Sequence, residues 1–350
     1  MPNTPSDALL RLALWVGIGS VILTLVMVAS IAILRMRLRR SGQREVRFLE
    51  HWRPALAHVL AGSPVQGLPP LPQADRIAFL KYWNYLQESL RGTANETLNA
   101  VARAVGADTF AQQGLASGSR AERLLAILTL GHLRETQAWD ALASQAAHPD
   151  SLMSLHAARA LLQVDAGRGA RLLMPLIIRR HDWDINRLTN MLAIARPDFE
   201  IQLRRYLGRV DARHAPRLLR LAEALQLRLP APLLASLLGG QRPGDVVAAS
   251  LRLVHDASLL PQVRSLLRHA DWRVRVQLAR CLGRIGEPPD IVPLTLLTQD
   301  REWWVRYRAV QALSALPFVS TQELQRLRDS TTDRYAQDML NQVFAERGIA

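Results

Sequence analysis

The chain of 350 residues has one cysteine, one lysine among 44 basic residues, and 5% aromatic residues. Each scarcity excludes something. Cys281 alone permits neither an intramolecular disulfide nor a cysteine-based metal site, and it fits a reducing compartment. Sparse aromatic and β-branched residues argue against strands, whereas the dominance of Leu, Ala and Arg favours helix. Also missing are GxGxxG, a phosphate-binding loop, H-E-x-x-H, CxxC and a nucleophile elbow, and the nine histidines show no repeated ligand spacing. His51 and His58 share a helical face, which reads as surface. No catalytic residue, metal site or cofactor is expected, unless catalysis is assembled across distant segments.

The charge is lopsided, at +14. Such an excess raises nucleic acid or an anionic membrane as a partner. The arginines are nevertheless dispersed outside residues 35–47, and a solvated basic surface accounts for them as well.

One long hydrophobic run is present. Residues 12–34, LALWVGIGSVILTLVMVASIAIL, carry no charge, and 23 residues at ~1.5 Å each reach across a ~30 Å hydrocarbon core. The run continues into RMRLRR with no small-residue cleavage site, so a retained transmembrane anchor is expected rather than a signal peptide. Arg35, Arg37, Arg39 and Arg40 lie behind it, within a basic juxtamembrane segment at 35–47. By the positive-inside rule they place residues 1–11 outside and the rest in the cytoplasm, on a single-pass inner-membrane protein. The same arginines suit lipid head groups. Gly17 and Gly19 form no GxxxG pair, so the anchor carries no dimerisation motif.

Residues 48–118 read as a connector of helices that caps the next segment. Pro54 is expected to kink or divide its first helix. Residues 62–73 are a loop by their Pro and Gly content. Asp75 caps a helix, and Thr93 with Glu96 makes a capping box. Trp83, Tyr82 and Tyr85 read as core or interdomain packing.

From residue 119 onward the chain repeats itself. DWRVRVQLARCLGRIG at 271–286 returns as EWWVRYRAVQALSAL at 302–316. Aligned on Arg275 and Arg306, earlier copies place Arg123, Ser154, Asn186, Leu218 and Val246 in the same slot, at spacings of 28–32 residues. Each copy has a Leu-rich segment, a short break and a second helix. In the second helices Val274, Leu278, Leu282 and Ile285 recur at helical spacing, as do Val305, Ala309, Leu313 and Leu316. One apolar face per helix cannot be buried within a pair, so the pairs must stack into a solenoid. The expected fold is all-α: a transmembrane helix followed by a solenoid of about seven repeats over 119–350, closed by a terminal cap helix. Ser119 with Glu122 and Ser320 with Glu323 supply capping boxes near its ends.

The pattern D-W-x-V-R-x-x-x-A-x-x-L-G, seen from Asp271 to Gly283 and varied from Glu302 to Ser314, resembles the HEAT repeat, including the bacterial form associated with phycobilisome lyases. The resemblance implies that Asp271, Arg275, Asp300 and Arg306 form a structural ladder between repeats. An anchor followed by HEAT repeats is also similar to a group of bacterial inner-membrane proteins associated with envelope-polysaccharide glycosyltransferase systems. That resemblance implies a membrane enzyme as partner.

On the helical face opposite the apolar stripe stand Arg273, Gln277, Arg280 and Arg284, then Trp304, Arg308 and Gln311, with His156, Arg159 and Gln163 in an earlier copy. In a HEAT array these positions line the concave surface. They are expected either to form a partner-binding track or to be solvated. Trp303 aligns with Trp272 and Trp183 as a repeat-structural position, leaving Trp304 as the exposed contact. In the first copy the matching Leu125 and Leu128 are expected to lie under the connector. The leading function is a tethered scaffold that binds a protein. The alternatives are a lyase-like enzyme acting on a tetrapyrrole-bearing protein and a nucleic-acid-binding HEAT protein.

Overall fold

The computed structural model describes residues 5–209, 211–239 and 242–348, with the side chains of 5–14, 16, 21, 34, 37–41 and 347 outside that description. Every regular element among the described residues is helical. The chain forms two compact units, Met1–Ala141 and Leu142–Ala350.

The first unit begins with one helix, Pro5–Leu60, which Pro54 does not divide. Residues 12–34 were expected to be a bounded apolar block, but this helix stops at neither edge. It runs through the Arg-rich segment to a packed end at Phe48, Trp52, Leu56 and Val59. Among the described residues no helix is long and apolar enough to cross a membrane. This overturns the anchor, and with it the inner-membrane placement, the outward amino terminus and the topological role of the arginines. Part of the expected span (12–14, 16, 21 and 34) lies outside the described side chains, as do Arg37, Arg39 and Arg40; Arg35 is exposed. Within the run, the hydroxyls of Thr24 and Ser30 donate to the carbonyls of Ser20 and Val26 one turn back, and Ile22, Leu23 and Leu25 are exposed.

Trp52 and Phe79 meet edge to face at 5.0 Å, and with Trp83, Leu98 and Val101 they build the core of this unit. Trp83 is wholly buried and its indole N–H donates to the carbonyl of Leu98 at 2.8 Å, which satisfies its polar end. The first repeat copy, helix Arg120–His132, belongs here, and Leu125 packs on the same core. Its Ser119–Glu122 capping box is formed. The box expected at Thr93 is not, because the chain turns at Gly92, with φ +72°, and Thr93 is already helical. Asp75 makes no side-chain cap.

In the second unit the second helices follow one another as Ser151–Val164, Ile185–Leu192, Ala215–Ala224, Gly244–Leu253, Trp272–Ile285, Trp303–Leu313 and Arg334–Arg347, each packed on the next. From Ile185–Leu192 onward, each is preceded by its first-helix partner, in order Ala166–Arg179, Arg196–Leu207, Ala231–Leu238, Leu260–Ser265, Ile291–Leu297 and Thr321–Ser330. The stripe Val274, Leu278, Leu282, Val305, Ala309 and Leu313 is buried between neighbours, and each buried leucine contributes on the order of 2 kcal/mol. The terminal helix is the second member of a complete pair, with a Ser320–Glu323 capping box opening the first member.

The helix caps fix the repeat register. Ser119, Asp150, His214, Asp271 and Glu302 each stand four residues before the slot deduced from sequence. Two further copies open at Asp184 and Pro243, so the slot residues there are Leu188 and Val247 rather than Asn186 and Val246. Asp333 adds an eighth slot at Gln337. Trp183 precedes its cap whereas Trp272 follows its own, so the two are not equivalent. Trp183 is fully buried and Trp272 is 38% exposed.

Candidate functional site

The slot side chains close the turn between the helices of a pair. Arg275 Nη1 donates to the carbonyls of His269 and Ala270 at 2.7 and 3.2 Å, and Arg306 Nη1 does the same to Asp300 and Arg301 at 2.8 and 3.1 Å. Gln337 Nε2 reaches the carbonyl of Thr331, also six residues back, at 2.8 Å. Arg275 then grips Asp300 through two bonds of 2.6 and 2.9 Å, with both side chains nearly buried. Burial pushes the Asp300 carboxyl up, but Arg275 and the amide of Glu302 outweigh it and hold the pKa below the ordinary value. Asp271 serves differently. It accepts from the amide of Arg273 as helix cap and pairs with the Arg273 guanidinium, whose hydrogen bond holds the carboxyl's pKa down. Of these four residues, Arg275 and Asp300 link neighbouring copies, while Asp271 and Arg306 bond within their own.

One face remains. Arg280 and Arg284 lie one turn apart on the Trp272–Ile285 helix, and Arg308 and Gln311 lie on the Trp303–Leu313 helix beside it. Together they line a cleft of about 320 Å³ whose floor is Gly283 and Ala312. A Cβ on Gly283 would lie 2.9 Å from both Cα and Cβ of Ala312, so only glycine permits this approach. Arg308 Nη1 donates to Gln311 Oε1 at 2.6 Å. Arg284 Nη2 is spent on the carbonyls of Leu251, Arg252 and Val254, closing the end of the preceding second helix. Arg280 has no hydrogen-bond or ion-pair partner among the described residues. Burial, then the charges of Arg308 and Arg284, push its pKa down, and Glu223 offsets them only in part.

Next to Arg308 is an aromatic group. Trp304 is 50% exposed, Trp303 meets it edge to face at 4.7 Å, and Trp303 stacks on Tyr307 at 5.1 Å. The Arg308 guanidinium lies 5.4 Å from the Tyr307 ring centre, and the Tyr307 hydroxyl donates to Glu346 at 2.9 Å. Tyr307 and the exposed face of Trp303 were not anticipated from sequence, although a WW-x-x-Y spacing on a helix is a legible signal.

The remaining members of the expected track are dispersed. Arg273 is engaged by Asp271, and Gln277 is half-buried with an Oε1 that has no partner. His156 and Arg159 are half-buried on the Ser151–Val164 helix, with three second helices between them and the cleft, and both make contacts there. Between them and the cleft stand Glu223, paired with Arg252 at 2.6 Å, and Asp245, so the basic track is interrupted. Cys281 is buried, which pushes its thiol up to about 11 and leaves it unreactive. Among the described residues no group of His, Cys, Asp and Glu could hold a metal. A larger cavity of about 700 Å³ in the first unit lies between Trp52, His51 and the prolines 69, 70 and 72.

Residues 245–314 and 266–340 match the family model of HEAT repeats. No curated protein matches the chain.

Proposed function

With HEAT repeats over the segment that holds the cleft, we propose that the chain is a protein-interaction scaffold whose partner docks on the exposed face of the second helices, at Arg280, Trp304, Arg308 and Gln311. The observation that carries this reading is the concentration of exposed Trp304 and underused guanidiniums on two adjacent helices. Trp, Tyr and Arg are the residue types that most often anchor protein interfaces. Arg273, Gln277 and Arg284 border the same face. His156 and Arg159 belong to a separate patch.

The resemblance that implied an envelope-polysaccharide glycosyltransferase system included the anchor, so the test presumes no particular partner. The tagged full chain and its Arg280→Glu/Trp304→Ala/Arg308→Glu variant are to be compared for proteins that co-purify, with matched melting temperatures as the control for folding. A protein retained by the wild type and lost from the variant is expected. An identical set with both would overturn the reading.

A further inference from the structure

We propose that the cleft between the Trp272–Ile285 and Trp303–Leu313 helices binds carboxylate side chains of an extended acidic protein segment, with Arg280 and Arg308 as the contacting guanidiniums. The inference rests on the scaffold reading and names the chemistry of its partner.

Three guanidiniums border the cleft, and no carboxylate lines it. The acidic side chain that Arg280 senses, Glu223, is already held by Arg252 at 2.6 Å. Arg308 bonds only a neutral amide oxygen, and Arg284 only backbone carbonyls. Like charges therefore face one another at the rim of this cleft, with Glu223 offsetting them only in part, an arrangement that an entering anion would relieve. Elsewhere in this unit Arg264 has Asp290 and Glu287, Arg275 has Asp300 and Arg180 has Asp182, whereas Arg217 and Arg306, like Arg284, donate to backbone carbonyls. Arg280 has neither kind of partner among the described residues.

The floor and walls select the kind of anion. Phosphate sites are commonly built on backbone amides at a helix start. Here the lining residues lie in the C-terminal halves of two helices, with Ala315 just past the second, so no helix start faces the cleft. Only guanidinium forks are on offer, and they match the planar carboxylate with paired bonds. The small floor of Gly283 and Ala312 leaves room for a chain to lie along the groove. Trp304, one turn before Arg308, adds an exposed apolar surface for the stem of a glutamate or its neighbour. A segment presenting two or more acidic side chains fits these features better than a free ion.

The test is fluorescence anisotropy of the full chain with fluorescein-labelled decaglutamate, using decaglutamine as the neutral control and inorganic phosphate and a random DNA duplex as competitors. Saturable binding of decaglutamate is expected, weakened about tenfold by Arg280→Gln or Arg308→Gln. Arg301→Gln, which removes an exposed arginine outside the cleft, should leave it within about twofold. Equal weakening by all three would show unspecific charge attraction and overturn the assignment. So would absence of binding, or displacement by duplex or phosphate at concentrations below those of the peptide. If decaglutamate fails to bind but a co-purifying protein still depends on Arg280 and Arg308, the scaffold reading stands and the acidic assignment falls. If decaglutamate binds in the cleft but no protein depends on these residues, the scaffold reading falls instead.

Discussion

In the copy that opens at Asp271, the slot arginine, Arg275, reaches the carbonyls five and six residues behind it and pairs with Asp300. In the copy that opens at Asp150 the slot holds Ser154, and a guanidinium still occupies the same place. Arg180 comes from the following pair and donates to the carbonyls of His148 and Pro149, the equivalents of His269 and Ala270, at 2.6 and 3.2 Å. It brings its own acid, Asp182, and Ser154 accepts from both Arg180 and the buried indole of Trp183. In the next copy the slot is Leu188, and Arg217, again from the following pair, donates to the carbonyls of Ile177, Arg180 and Trp183. The comparison teaches that the requirement is satisfied carbonyls at a tight turn, not an arginine at a fixed position in the sequence. A divergent repeat loses the motif while keeping the contact.

The largest test of this comparison is Arg275→Met, which strands Asp300 nearly buried without its partner. A loss of about 3–5 kcal/mol in urea denaturation is expected, with much of it recovered in Arg275→Met/Asp300→Leu. Because the folded pKa of Asp300 is depressed, its contribution is complete above the ordinary carboxylate range, near pH 4, and is lost as pH falls through the lower folded value. The double variant should therefore show a flatter decline in stability below about pH 4 than the wild type.

Arg217→Ala should cost about 2–3 kcal/mol, since three carbonyls lose a charged donor. If borrowed guanidiniums matter less than resident ones, the loss will be near zero and the comparison breaks. Gly283→Ala drives a methyl group into Ala312 and should cost about 1–3 kcal/mol. In the divergent region Gly208→Ala meets nothing closer than 3.8 Å, at φ −72°, and should be neutral or stabilise by about 0.5 kcal/mol.

The ladder also has an end. Thr331 stands where Asp300 stands one repeat earlier, and both Arg306 Nε and Thr331 Oγ1 are buried without partners. Arg306 lies instead over the ring of Tyr335 at 5.1 Å. Thr331→Asp should restore the pair and stabilise by about 1–2 kcal/mol, an effect that disappears in an Arg306→Met background.

Some of this was legible without coordinates. The apolar stripe, the terminal capping boxes and the caps at Asp150 and Asp271 are local signals, and the helical period carried them. The seven copies gain an eighth, because Thr321–Ser330 supplies the first helix that pairs with the terminal one. Register failed at Asn186 and Val246, where loops of different length shift the cap and the slot residue is only a buried aliphatic. Local hydropathy marks 12–34 as a bounded span, yet this run is part of a helix that continues to Leu60.

The sequence alone determined that this chain is helical, that it repeats with a period of about 30 residues, and which side of most helices is buried, since those follow from propensity and period. It marked Arg280, Trp304 and Arg308 as facing away from the core. The tertiary structure decided which arginines are free. Arg284, Arg180 and Arg217 look the same as Arg280 in the sequence, but each finds carbonyls or a carboxylate more than two residues away or in a neighbouring repeat. Whether a guanidinium is a bracket or a binding group depends on partners brought together by packing, and a one-dimensional pattern does not contain those distances.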